Sequence, residues 1–597
     1  MSKNTYRSHH CSEINEKLEG AEVKICGWVH KVRDHGGVFF FDLRDRSGLC
    51  QIVFPESSKD HEKLRAEFVV SVTGIAKRRP DGMGNSQMAS GQMEVEVKSI
   101  EVISEAETPP FPINTQEDTA SENTRLKYRY LDLRKPHLQK IFKLRHEALQ
   151  ASRAYFTQKD FYEIETPILY KSTPEGARDY LVPSRVYPGS FFALPQSPQT
   201  LKQLLMVSGF ERYFQIARCF RDEDNRADRQ PEFTQLDLEM SFIDQEDILN
   251  TMEGFVKHLW KQVLNVDLKD RFPRIAYAEA MSSYGSDKPD LRFGLKISNI
   301  SSVFEKTEFK VFSTVLSLGG AVTAISINEH EVKELPEWSR KDLDGFNTAV
   351  SPFGLRGVAW VRVKDGELSS PIAKFLSDEE KSQLKTSLKI EKNGYALIGA
   401  AECPTVFEAM GALRLEIARK LELIQPNSTD NWKFCWVVDF PLYEFNSEDQ
   451  RLYAAHHPFT QPHKDDMDLF FSSETSDLRK VRANAYDLAL NGFELGGGSL
   501  RIFDPKVQGK MFANLGLSPD EVTEKFGFFV EALQYGTPPH GGIAFGIDRV
   551  IMLMAGTKSI RDVIAFPKTA SSLCLMSNTP SRVSADQLAE LRISPTK

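Results

Sequence analysis

Residues 218–242 read RCFRDEDNRADRQPEFTQLDLEMSF, and this stretch decides the fold. From Phe233 onward the residues alternate in polarity, which predicts a β-strand with two different faces. One face carries four polar residues: Gln235, Asp237, Glu239 and Ser241. The other face carries four apolar residues: Leu236, Leu238, Met240 and Phe242. Because polar groups on a half-buried sheet need partners, we expect a polar ligand to lie across this strand.

The residues just upstream extend this expectation to an anion. Acidic residues there are interspersed with four arginines: Arg218, Arg221, Arg226 and Arg229. Guanidinium groups bind anions through paired N–H donors, so we expect arginines of this stretch to grip the anionic part of the ligand.

Composition narrows the class of protein. A chain of 597 residues is too long for one hydrophobic core and predicts several domains. A net charge of −8 argues against a polybasic coat for nucleic acid, although local basic patches remain open. The seven cysteines are scattered without a CxxC pair, so neither a zinc site nor a disulfide framework is expected. With no signal-peptide core and no membrane-length apolar run, we expect a soluble cytoplasmic protein.

Residues 1–107 are predicted to form a small OB-type β-barrel. They contain five strand-like runs, divided by turns such as HGG, RSG and RPDGMGNS. Five strands in this length are typical of that barrel, a common oligonucleotide binder. Cations such as Arg33 stand near the phenylalanines at 39–41, a combination that suits single-stranded nucleic acid. Each phenylalanine alone is more simply a core residue, but the domain as a whole favours RNA.

The rest of the chain divides by its pattern into four further parts. Residues 108–137 are a predicted linker or hinge, rich in Pro, Glu and Thr at its start. Residues 138–290 and 431–566 share one strand–helix pattern and are predicted to be two halves of one domain. Residues 291–430 have strands and helices of their own and are predicted to be an inserted domain. Residues 567–597 form a C-terminal extension.

Two neighbouring segments bring polar residues to the start of a predicted helix. STPEGARDYLVPSR occupies residues 172–185, and ALPQSPQTLKQLL occupies residues 193–205. Their candidate ligand-binding residues are Glu175, Gln199 and Lys202. Taken alone, Lys202 would be read as part of a solvated helix face.

Two further segments place charge beside glycine. In NGFELGGGSLRIFD, residues 491–504, three glycines lie between Glu494 and Arg501 and permit close approach of a ligand or strand, or simply a bulge or hairpin. In HGGIAFGIDRVIMLMAG, residues 540–556, a strand runs into a helix whose first turn holds Arg549. A cation is disfavoured at a helix N-terminus, so a bound anion best explains this arginine.

These segments indicate a nucleotide site of an unusual kind. The chain has neither a Walker loop nor a GxGxxG loop. Any nucleotide must therefore be held by arginine forks and by magnesium bound to carboxylates. The pair His456–His457 has no third residue at metal-ligand spacing, and no Ser–His–Asp or Cys–His nucleophile pattern is supported.

The motifs together resemble those of class II aminoacyl-tRNA synthetases. FRDEDNRADRQPEFTQLD is similar to motif 2, GGIAFGIDRVIMLMAG to motif 3, and FYEIETPIL, residues 161–169, to motif 1 at the dimer interface. QSPQTLKQLL, ELGGGSLRI and HHPFT add a resemblance to bacterial-type aspartyl-tRNA synthetases over nearly the whole chain. One departure lies in the inserted domain, where the family's GAD signature is matched only by Gly399-Ala400-Ala401-Glu402.

The resemblance implies an α+β multidomain homodimer. Its parts would be an N-terminal OB-type barrel, a catalytic antiparallel sheet flanked by helices, and an inserted α+β domain. The implied reaction joins L-aspartate to tRNA(Asp) in two steps: ATP and aspartate form aspartyl-adenylate and pyrophosphate, and the terminal ribose hydroxyl of the tRNA then attacks the activated carbonyl.

The resemblance also implies roles for individual residues. The implied catalytic residues are Arg221, Arg549 and Glu494. The implied aspartate-binding residues are Glu175, Gln199, Lys202, Arg221, Asp237, His456 and Arg501. The implied ATP-binding residues are Arg221, Asp222, Glu223, Gln230, Glu494, Gly546, Ile547, Asp548 and Arg549, with Mg²⁺ carried by Asp487 and Glu494.

Residues of the barrel resemble the family's anticodon contacts. The implied contacts are Arg33, His35, Phe40, Gln51, Arg65 and Gly82. Of these, His35 and the loop with Gly82 are similar to members that charge both tRNA(Asp) and tRNA(Asn), although His35 alone is equally well a surface loop residue.

Three other functions remain open from the sequence. An asparaginyl- or lysyl-tRNA synthetase shares the barrel and motifs, but an amide substrate does not call for both Lys202 and Arg501, and a lysine substrate calls for more acids. An asparagine synthetase on the same catalytic fold would not need the barrel. A non-catalytic RNA-binding scaffold would not need four charged residues: Arg221, Arg549, Glu494 and Asp487.

Overall fold

A computed structural model describes residues 4–35, 38–55, 58, 60–115, 119–173, 176–224, 228–424 and 431–594. The described chain forms two compact units. Unit 1 draws its residues from 1–146, 224–230 and 555–584, and unit 2 draws its residues from 147–223, 231–554 and 585–597. Within the described parts, no helix has the length and apolar character needed to cross a lipid bilayer.

The N-terminal part of unit 1 is a closed barrel of five strands. These are β1 Glu22–His35, β2 Val38–Asp45, β3 Gly48–Val53, β4 Val69–Arg78 and β5 Met93–Ser104. Around the barrel they follow the order β1-β2-β3-β5-β4, and only β3 and β5 run parallel. Alternate residues such as Phe41 and Leu43 point inward and are fully buried in an apolar core. The predicted OB-type barrel is confirmed.

Three helices follow the barrel, and the chain between the second and third contacts it. They are α1 Glu122–Lys127, α2 Arg129–Asp132 and α3 Pro136–Gln158, the last of which continues into unit 2. Arg134, just before α3, donates to the carboxylate of Glu67 at 2.9 Å and lies over the ring of Trp28 at 5.3 Å. The same carboxylate accepts from Arg44 at 2.7 Å, so one buried acid joins the barrel to the chain that enters α3.

Unit 2 begins with the first half of a mixed α+β fold. Its strands are β6 Tyr162–Glu163, β7 Leu181–Pro183, β8 Phe191–Ala193, β9 Arg212–Phe220, β10 Glu232–Ser241 and β11 Arg274–Ala276. Its helices are α4 Gln199–Val207, α5 Gln245–Leu264 and α6 Tyr277–Tyr284.

A five-stranded antiparallel sheet follows in the region predicted to be an insertion. Its strands are β12 Ile297–Asn299, β13 Ala321–Asn328, β14 Ala359–Lys364, β15 Glu367–Ser369 and β16 Gly394–Ala401, in the order β12-β13-β16-β14-β15. Its helices are α7 Lys310–Ser317, α8 Arg340–Gly345, α9 Asn347–Val350, α10 Asp378–Ser387 and α11 Cys403–Lys420. Apolar cores include side chains from both faces of this sheet. The predicted limits of the domains stay predictions.

The last segments complete the fold. The strands are β17 Phe434–Val438, β18 Tyr443–Asn446, β19 Arg451–Ala454, β20 Ala485–Leu490, β21 Phe493–Leu500 and β22 His540–Gly546. The helices are α12 Met467–Phe471, α13 Thr475–Leu478, α14 Pro505–Asn514, α15 Pro519–Ala532, α16 Ile547–Ala555 and α17 Ala585–Glu590.

The central sheet of unit 2 has eight strands in the order β11-β17-β20-β21-β22-β10-β9-β6. Its inner neighbours are antiparallel, as predicted, but the edge pairs β11–β17 and β6–β9 are parallel. β10 lies between β9 and β22, and Asp237 and Glu239 are fully buried there.

The predicted alternation fails at its last residue. Phe242 was expected on the apolar face, but β10 ends at Ser241 and Phe242 is 67% exposed. Its backbone turns to a left-handed φ of 57°, and its N–H bonds to the carbonyl of Pro539. Its side chain therefore leaves the pattern of the strand.

Candidate active site

Two buried carboxylates on β10 form the base of the candidate site. Asp237 and Glu239 are two residues apart on one face of the strand, and neither is exposed to solvent. A buried carboxylate is costly unless a cation and hydrogen-bond donors compensate it. The site is therefore defined by the cations that reach these two groups.

Lys202 of α4 supplies the first cation. Its Nζ donates to Asp237 Oδ1 at 3.1 Å and lies 3.6 Å from Glu239 Oε2. The side chain is only 1% exposed, so Lys202 is not part of a solvated helix face. Burial raises the pKa of Asp237 despite the nearby ammonium.

Arg501, which follows β21, supplies the second cation. Its Nε donates to Glu239 Oε1 at 2.8 Å and its Nη2 donates to Glu239 Oε2 at 3.2 Å, the bidentate geometry of a strong ion pair. Its Nη1 donates to Ser499 Oγ at 2.6 Å and to His457 Nε2 at 2.5 Å. Burial alone would raise the pKa of Glu239, but Arg501 and Lys202 outweigh it and lower that pKa.

A glycine makes the contact between these strands possible. Gly542 of β22 pairs with Glu239 on one side and with Ser499 on the other. A Cβ atom at this position would overlap the carboxylate of Glu239. Glu239 of β10 and Arg501, just after β21, therefore meet across a strand that has no side chain at Gly542.

Several buried polar atoms around this network have no hydrogen-bond partner among the described residues. Lys202 fills only one oxygen of Asp237, and no other described group bonds to Oδ2. The unpartnered atoms here are Gln199 Nε2, Arg221 Nε, Asp237 Oδ2 and His456 Nε2. Buried polar groups are nearly always satisfied, so donors and an acceptor left open together indicate a polar ligand. All four of these residues are among those that the sequence predicted to bind aspartate.

Arg221 connects this pocket to the segment that resembles motif 2. Its guanidinium lies over the ring of Phe233 at 5.1 Å, and its backbone N–H bonds to the carbonyl of Pro231. The charge of Arg221 also lowers the pKa of Asp237, against the larger effect of burial. Asp222 and Glu223 follow it directly and are partly buried.

The segment that resembles motif 3 contains two neighbouring charged residues, Asp548 and Arg549, which contact different parts of the sheet. Arg549 Nη1 donates to the backbone oxygen of Glu494 at 2.6 Å and lies 3.9 Å from its carboxylate. Asp548 is buried, and its carboxylate accepts from the backbone N–H of Thr234 at 2.7 Å. Asp548 thus ties α16 to β10, while Arg549 reaches the region of β21. Gly546 and Ile547 form the corner between β22 and α16.

Asp487 and Glu494 form a carboxylate pair beside Arg549. They flank Gly497, where a Cβ atom would overlap Asp487 Oδ1 and lie 3.5 Å from Glu494 Oε1. Burial, and then Glu494, raise the pKa of Asp487 well above its usual range. Two carboxylates that flank one glycine offer hard oxygen ligands of the kind that magnesium takes.

The two histidines differ in their surroundings. His457 accepts from Arg501, and burial together with Arg501 keeps its pKa well below the ordinary value. His456, which the sequence marked, packs edge-on against Phe440 with ring centroids 5.0 Å apart. Burial and Arg501 lower the pKa of His456 to about 4.

Gln230 belongs to unit 1, and both polar atoms of its side chain are hydrogen-bonded to the backbone. Its Oε1 accepts from the backbone N–H of Lys568 at 2.8 Å, and its Nε2 donates to the backbone oxygen of the same residue at 3.1 Å. Two further marked residues lie outside the description: Glu175 is not among the described residues, and nothing is described of the His35 side chain.

In the barrel, three of the marked residues share one face. Arg33 pairs with Phe40 across β1 and β2, with the guanidinium 5.5 Å from the ring centre, and it also bonds to Asp42. Asp42 in turn pairs with Gln51 of β3, which donates to Glu94 at 2.9 Å. A ring, a cation and an amide side by side suit a stacked, unpaired base.

Two other marked residues of the barrel unit are placed differently. Arg65 donates to the backbone oxygens of Glu62 and Leu64, both at 2.8 Å. Gly82 has a left-handed φ of 80° in the turn before β5, with open space around its Cα.

Sequence reasoning assigned no role to three members of the network: Glu239, His457 and Ser499. The polar face of β10 was the signal for Glu239, because it is the second carboxylate of that face. His457 and Ser499 gave no comparable signal: His457 meets Arg501 only in the folded chain, and Ser499 carries no charge that would mark it beside Arg501.

The match to protein families agrees with this architecture. The family described as "tRNA synthetases class II (D, K and N)" matches residues 121–570, and "OB-fold nucleic acid binding domain" matches residues 23–103. The fold and the site thus define the class as class II aminoacyl-tRNA synthetases.

Curated relatives narrow the class further. The chain is 50% identical to "Aspartate--tRNA(Asp/Asn) ligase" of Anoxybacillus flavithermus over 592 residues, or 98% of each chain. It is 49% identical to "Aspartate--tRNA ligase" of Ruminiclostridium cellulolyticum over 598 residues, or 99% of this chain and 98% of the relative. The chain belongs to the aspartate–tRNA ligase family.

Solved structures share the fold at low identity. Asparaginyl-tRNA synthetase from Pyrococcus horikoshii, complexed with asparaginyl-adenylate, matches with a TM-score of 0.57 and 20% identity, covering 95% of this chain and 99% of that one.

Proposed function

We propose that this chain attaches L-aspartate to tRNA(Asp) through an aspartyl-adenylate, and that it also charges tRNA(Asn) with aspartate. The observation that carries the proposal is the pair of buried cations, Lys202 and Arg501, beside polar atoms that lack partners. The family and the names of the relatives support the same reaction, and some of those names include both tRNAs.

In the first step, Lys202 and Arg501 bind the side-chain carboxylate of aspartate. Asp237 and Glu175 face its ammonium group, Gln199 donates its open amide N–H, and His456 lies over the substrate. A carboxylate accepts charge-assisted hydrogen bonds from both cations, whereas the NH2 group of an amide turns a donor towards them. Discrimination against asparagine therefore reaches several orders of magnitude.

The same step binds ATP along β21 and α16. Arg221 holds the α-phosphate, Arg549 the γ-phosphate, and Asp222, Glu223 and Gln230 the adenine side. The corner Gly546-Ile547-Asp548 lines the nucleotide. Asp487 and Glu494 hold Mg²⁺, which when bound offsets phosphate charge.

The chemistry needs no protein nucleophile. An α-carboxylate oxygen of aspartate forms a bond to the α-phosphorus, and the bond from that phosphorus to the bridging oxygen breaks, releasing pyrophosphate. A terminal ribose hydroxyl of the tRNA then attacks the carbonyl carbon, releasing AMP. The residues act by aligning the reactants and stabilising the charge that develops.

The tRNA reaches the barrel through its anticodon in this proposal. The contacts are Arg33, His35, Phe40, Gln51, Arg65 and Gly82, of which Arg33, Phe40 and Gln51 already share a face. We also propose that the protein works in the cytoplasm as a homodimer. Exposed apolar side chains of the motif 1 stretch, Tyr162, Ile168 and Leu169, support the dimer.

One assay tests the central proposal. Pyrophosphate exchange is measured with aspartate, asparagine or lysine, with and without tRNA, and aminoacylation is measured with purified tRNA(Asp) and tRNA(Asn). We expect exchange with aspartate but not with asparagine or lysine. We also expect both tRNAs to be charged. Exchange only with asparagine or lysine would overturn the assignment, and no charging of tRNA(Asn) would remove the dual specificity.

Two variants connect the assay to the site. Arg501→Leu should abolish aspartate-dependent exchange, and near-normal exchange would contradict the pocket. Because Arg501 also compensates the buried Glu239, Gln199→Ala is the safer companion variant. Its amide nitrogen has no partner among the residues that the structure describes, so the fold should hold while KM for aspartate rises about tenfold.

A further inference from the structure

His540, the first residue of β22, contacts both parts of the chain that carry the cations of the candidate site. It is 2% exposed and pairs with Ser241 of β10. Its backbone oxygen accepts from the backbone N–H of Arg501 at 2.9 Å. The main chain of His540 therefore fixes the backbone from which the Arg501 side chain extends to Glu239.

The imidazole ring of His540 reaches α4. Its Nδ1 lies 2.8 Å from the backbone oxygen of Pro538, and because a carbonyl only accepts, Nδ1 carries a hydrogen and donates it. The second ring nitrogen, Nε2, lies 3.2 Å from Oε1 of Gln203, which is fully buried. An amide can turn either its NH2 group or its oxygen to that nitrogen, so this contact suits both protonation states of the ring. The ring is thus fixed at Pro538 and in turn holds Gln203.

Gln203 belongs to the turn of α4 that supplies the pocket. It directly follows Lys202, whose Nζ donates to Asp237. It also lies one helical turn after Gln199, whose amide nitrogen has no partner among the described residues. Lys202, Gln203 and Gln199 are all buried. A contact that holds the side chain of Gln203 therefore also sets where its two neighbours enter the pocket.

The spacing of the two cations matters because both are to bind one carboxylate. Lys202 and Arg501 already converge on Glu239, with Nζ 3.6 Å from Oε2 and Nε 2.8 Å from Oε1. Groups that act together on one ligand must be held to within roughly 0.5 Å, and the residues behind them supply that precision. The start of α4 and the residue after β21 must therefore be fixed relative to each other, and His540 contacts both.

We propose that His540 is a positioning residue that sets the spacing between Lys202 and Arg501, and with it the fit of the pocket to the side-chain carboxylate of aspartate. The proposal rests on the function given above, because it concerns the same amino-acid pocket. The main chain of His540 holds the Arg501 side, and its ring holds the α4 side through Gln203. His540 acts through these neighbours and does not touch the substrate.

Two amide variants separate the two contacts of the ring in the pyrophosphate exchange of the full-length protein. The amide of asparagine stands near the place of Nδ1, and that of glutamine near the place of Nε2. His540→Asn keeps the bond to Pro538 and loses Gln203, so KM for aspartate should rise about tenfold while KM for ATP stays within about twofold. His540→Gln keeps Gln203, and both of its KM values should stay within about threefold of wild type. An unchanged KM for aspartate in His540→Asn, or an equal rise in both variants, would overturn the proposal.

A double-variant cycle tests whether His540 acts through Gln203. Gln203→Leu should raise KM for aspartate as much as His540→Asn does. The two substitutions together should raise it no further, since both break the same contact. Effects that multiply in the double variant would refute the positioning role.

Asn328→Ala is the control for a loss of stability alone. Asn328 is a buried amide of β13 that bonds to the backbone oxygen of Leu388 and to the backbone N–H of His330. The variant should lower the urea midpoint and leave both KM values unchanged, because KM does not depend on how much of the protein is folded. A rise in KM for aspartate here as large as that in His540→Asn would overturn the proposal. Failure of aspartate to support exchange in the wild type would instead refute the proposed function, and the cycle would then use the amino acid that does support it.

Discussion

At the scale of single residues, Glu239 is the group on which the pocket depends. It is fully buried and compensates both Arg501 and Lys202, at 2.8 and 3.6 Å. We expect Glu239→Gln to lower the free energy of unfolding by about 3–5 kcal/mol, because it leaves one of two buried cations uncompensated.

Urea unfolding followed by circular dichroism measures this loss. The double variant Glu239→Gln/Arg501→Gln removes both members of the ion pair and serves as the control. It should be more stable than the sum of the two single variants indicates, since their effects are coupled. Simple additivity would show that the two side chains do not compensate each other.

His456 gives the site a defined response to acid. Its pKa is about 4 in the folded protein, against 6.5 ordinarily. Between these values the unfolded chain binds a proton that the folded chain does not, so stability falls as the pH drops from 6.5 towards 4. The contribution is at most roughly 3 kcal/mol.

Comparison of wild type with His456→Gln isolates this contribution. The urea midpoint of the variant should fall less than that of the wild type between pH 7 and pH 5. Asp237 and Asp487, whose pKa values are raised, respond in the opposite sense, and both proteins contain them. An equal loss of stability in the two proteins would contradict the prediction.

Residue types predicted part of the site and missed the rest for a physical reason. Lys202, Asp237 and Arg501 could be found because each stands in a motif or on a patterned face, and the structure brings them together. Glu239 stood on the same face without a role, since its partner Arg501 lies two strands away.

At the scale of elements, β21 is packed on both sides at its glycines. A Cβ atom at Gly498 would overlap the backbone oxygen of Gly542 and lie 2.8 Å from Ile543 Cα. We expect Gly498→Ala to force β21 and β22 apart and to lower stability by roughly 1–3 kcal/mol.

Gly509→Ala is the control for this prediction. Gly509 lies inside α14 with open space around it, so an added methyl group should raise stability by about 0.5–1 kcal/mol. Differential scanning fluorimetry of both variants should give shifts of opposite sign. A tolerated alanine at position 498 would mean that the strands are less closely packed than the structure has them.

Elements were easier to predict than their ends. The strand that begins near Phe233 was expected from its alternation, and the structure starts it at Glu232. Phe242 fits the same periodicity, yet its backbone follows the bond to Pro539. The parallel edge pairs of the central sheet also had no local signal, because they join segments far apart in the chain.

At the scale of the whole molecule, the predicted functions fall on different compact units. The paired cations and carboxylates lie in unit 2, whereas the face formed by Arg33, Phe40 and Gln51 lies in unit 1. We expect Phe40→Ala to leave tRNA-independent pyrophosphate exchange unchanged. The same variant should lower kcat/KM for tRNA(Asp) about tenfold, because stacking on a base contributes roughly 1–3 kcal/mol.

Phe353→Ala is a suitable control, since Phe353 is a 44% exposed phenylalanine outside both sites. It should change neither activity. Loss of exchange in Phe40→Ala would show that the barrel substitution disturbs the fold rather than recognition of the tRNA.

The missing side chain of Gly542 has a consequence for protein engineering. Because Glu239 reaches Arg501 across this glycine, Glu239, Arg501 and Lys202 compensate one another's charges before any substrate arrives. Directed evolution that randomises Arg501 alone would mostly recover variants in which the buried carboxylate of Glu239 has lost its arginine partner. A library aimed at a new amino acid should vary positions 239, 457 and 501 together and keep position 542 fixed.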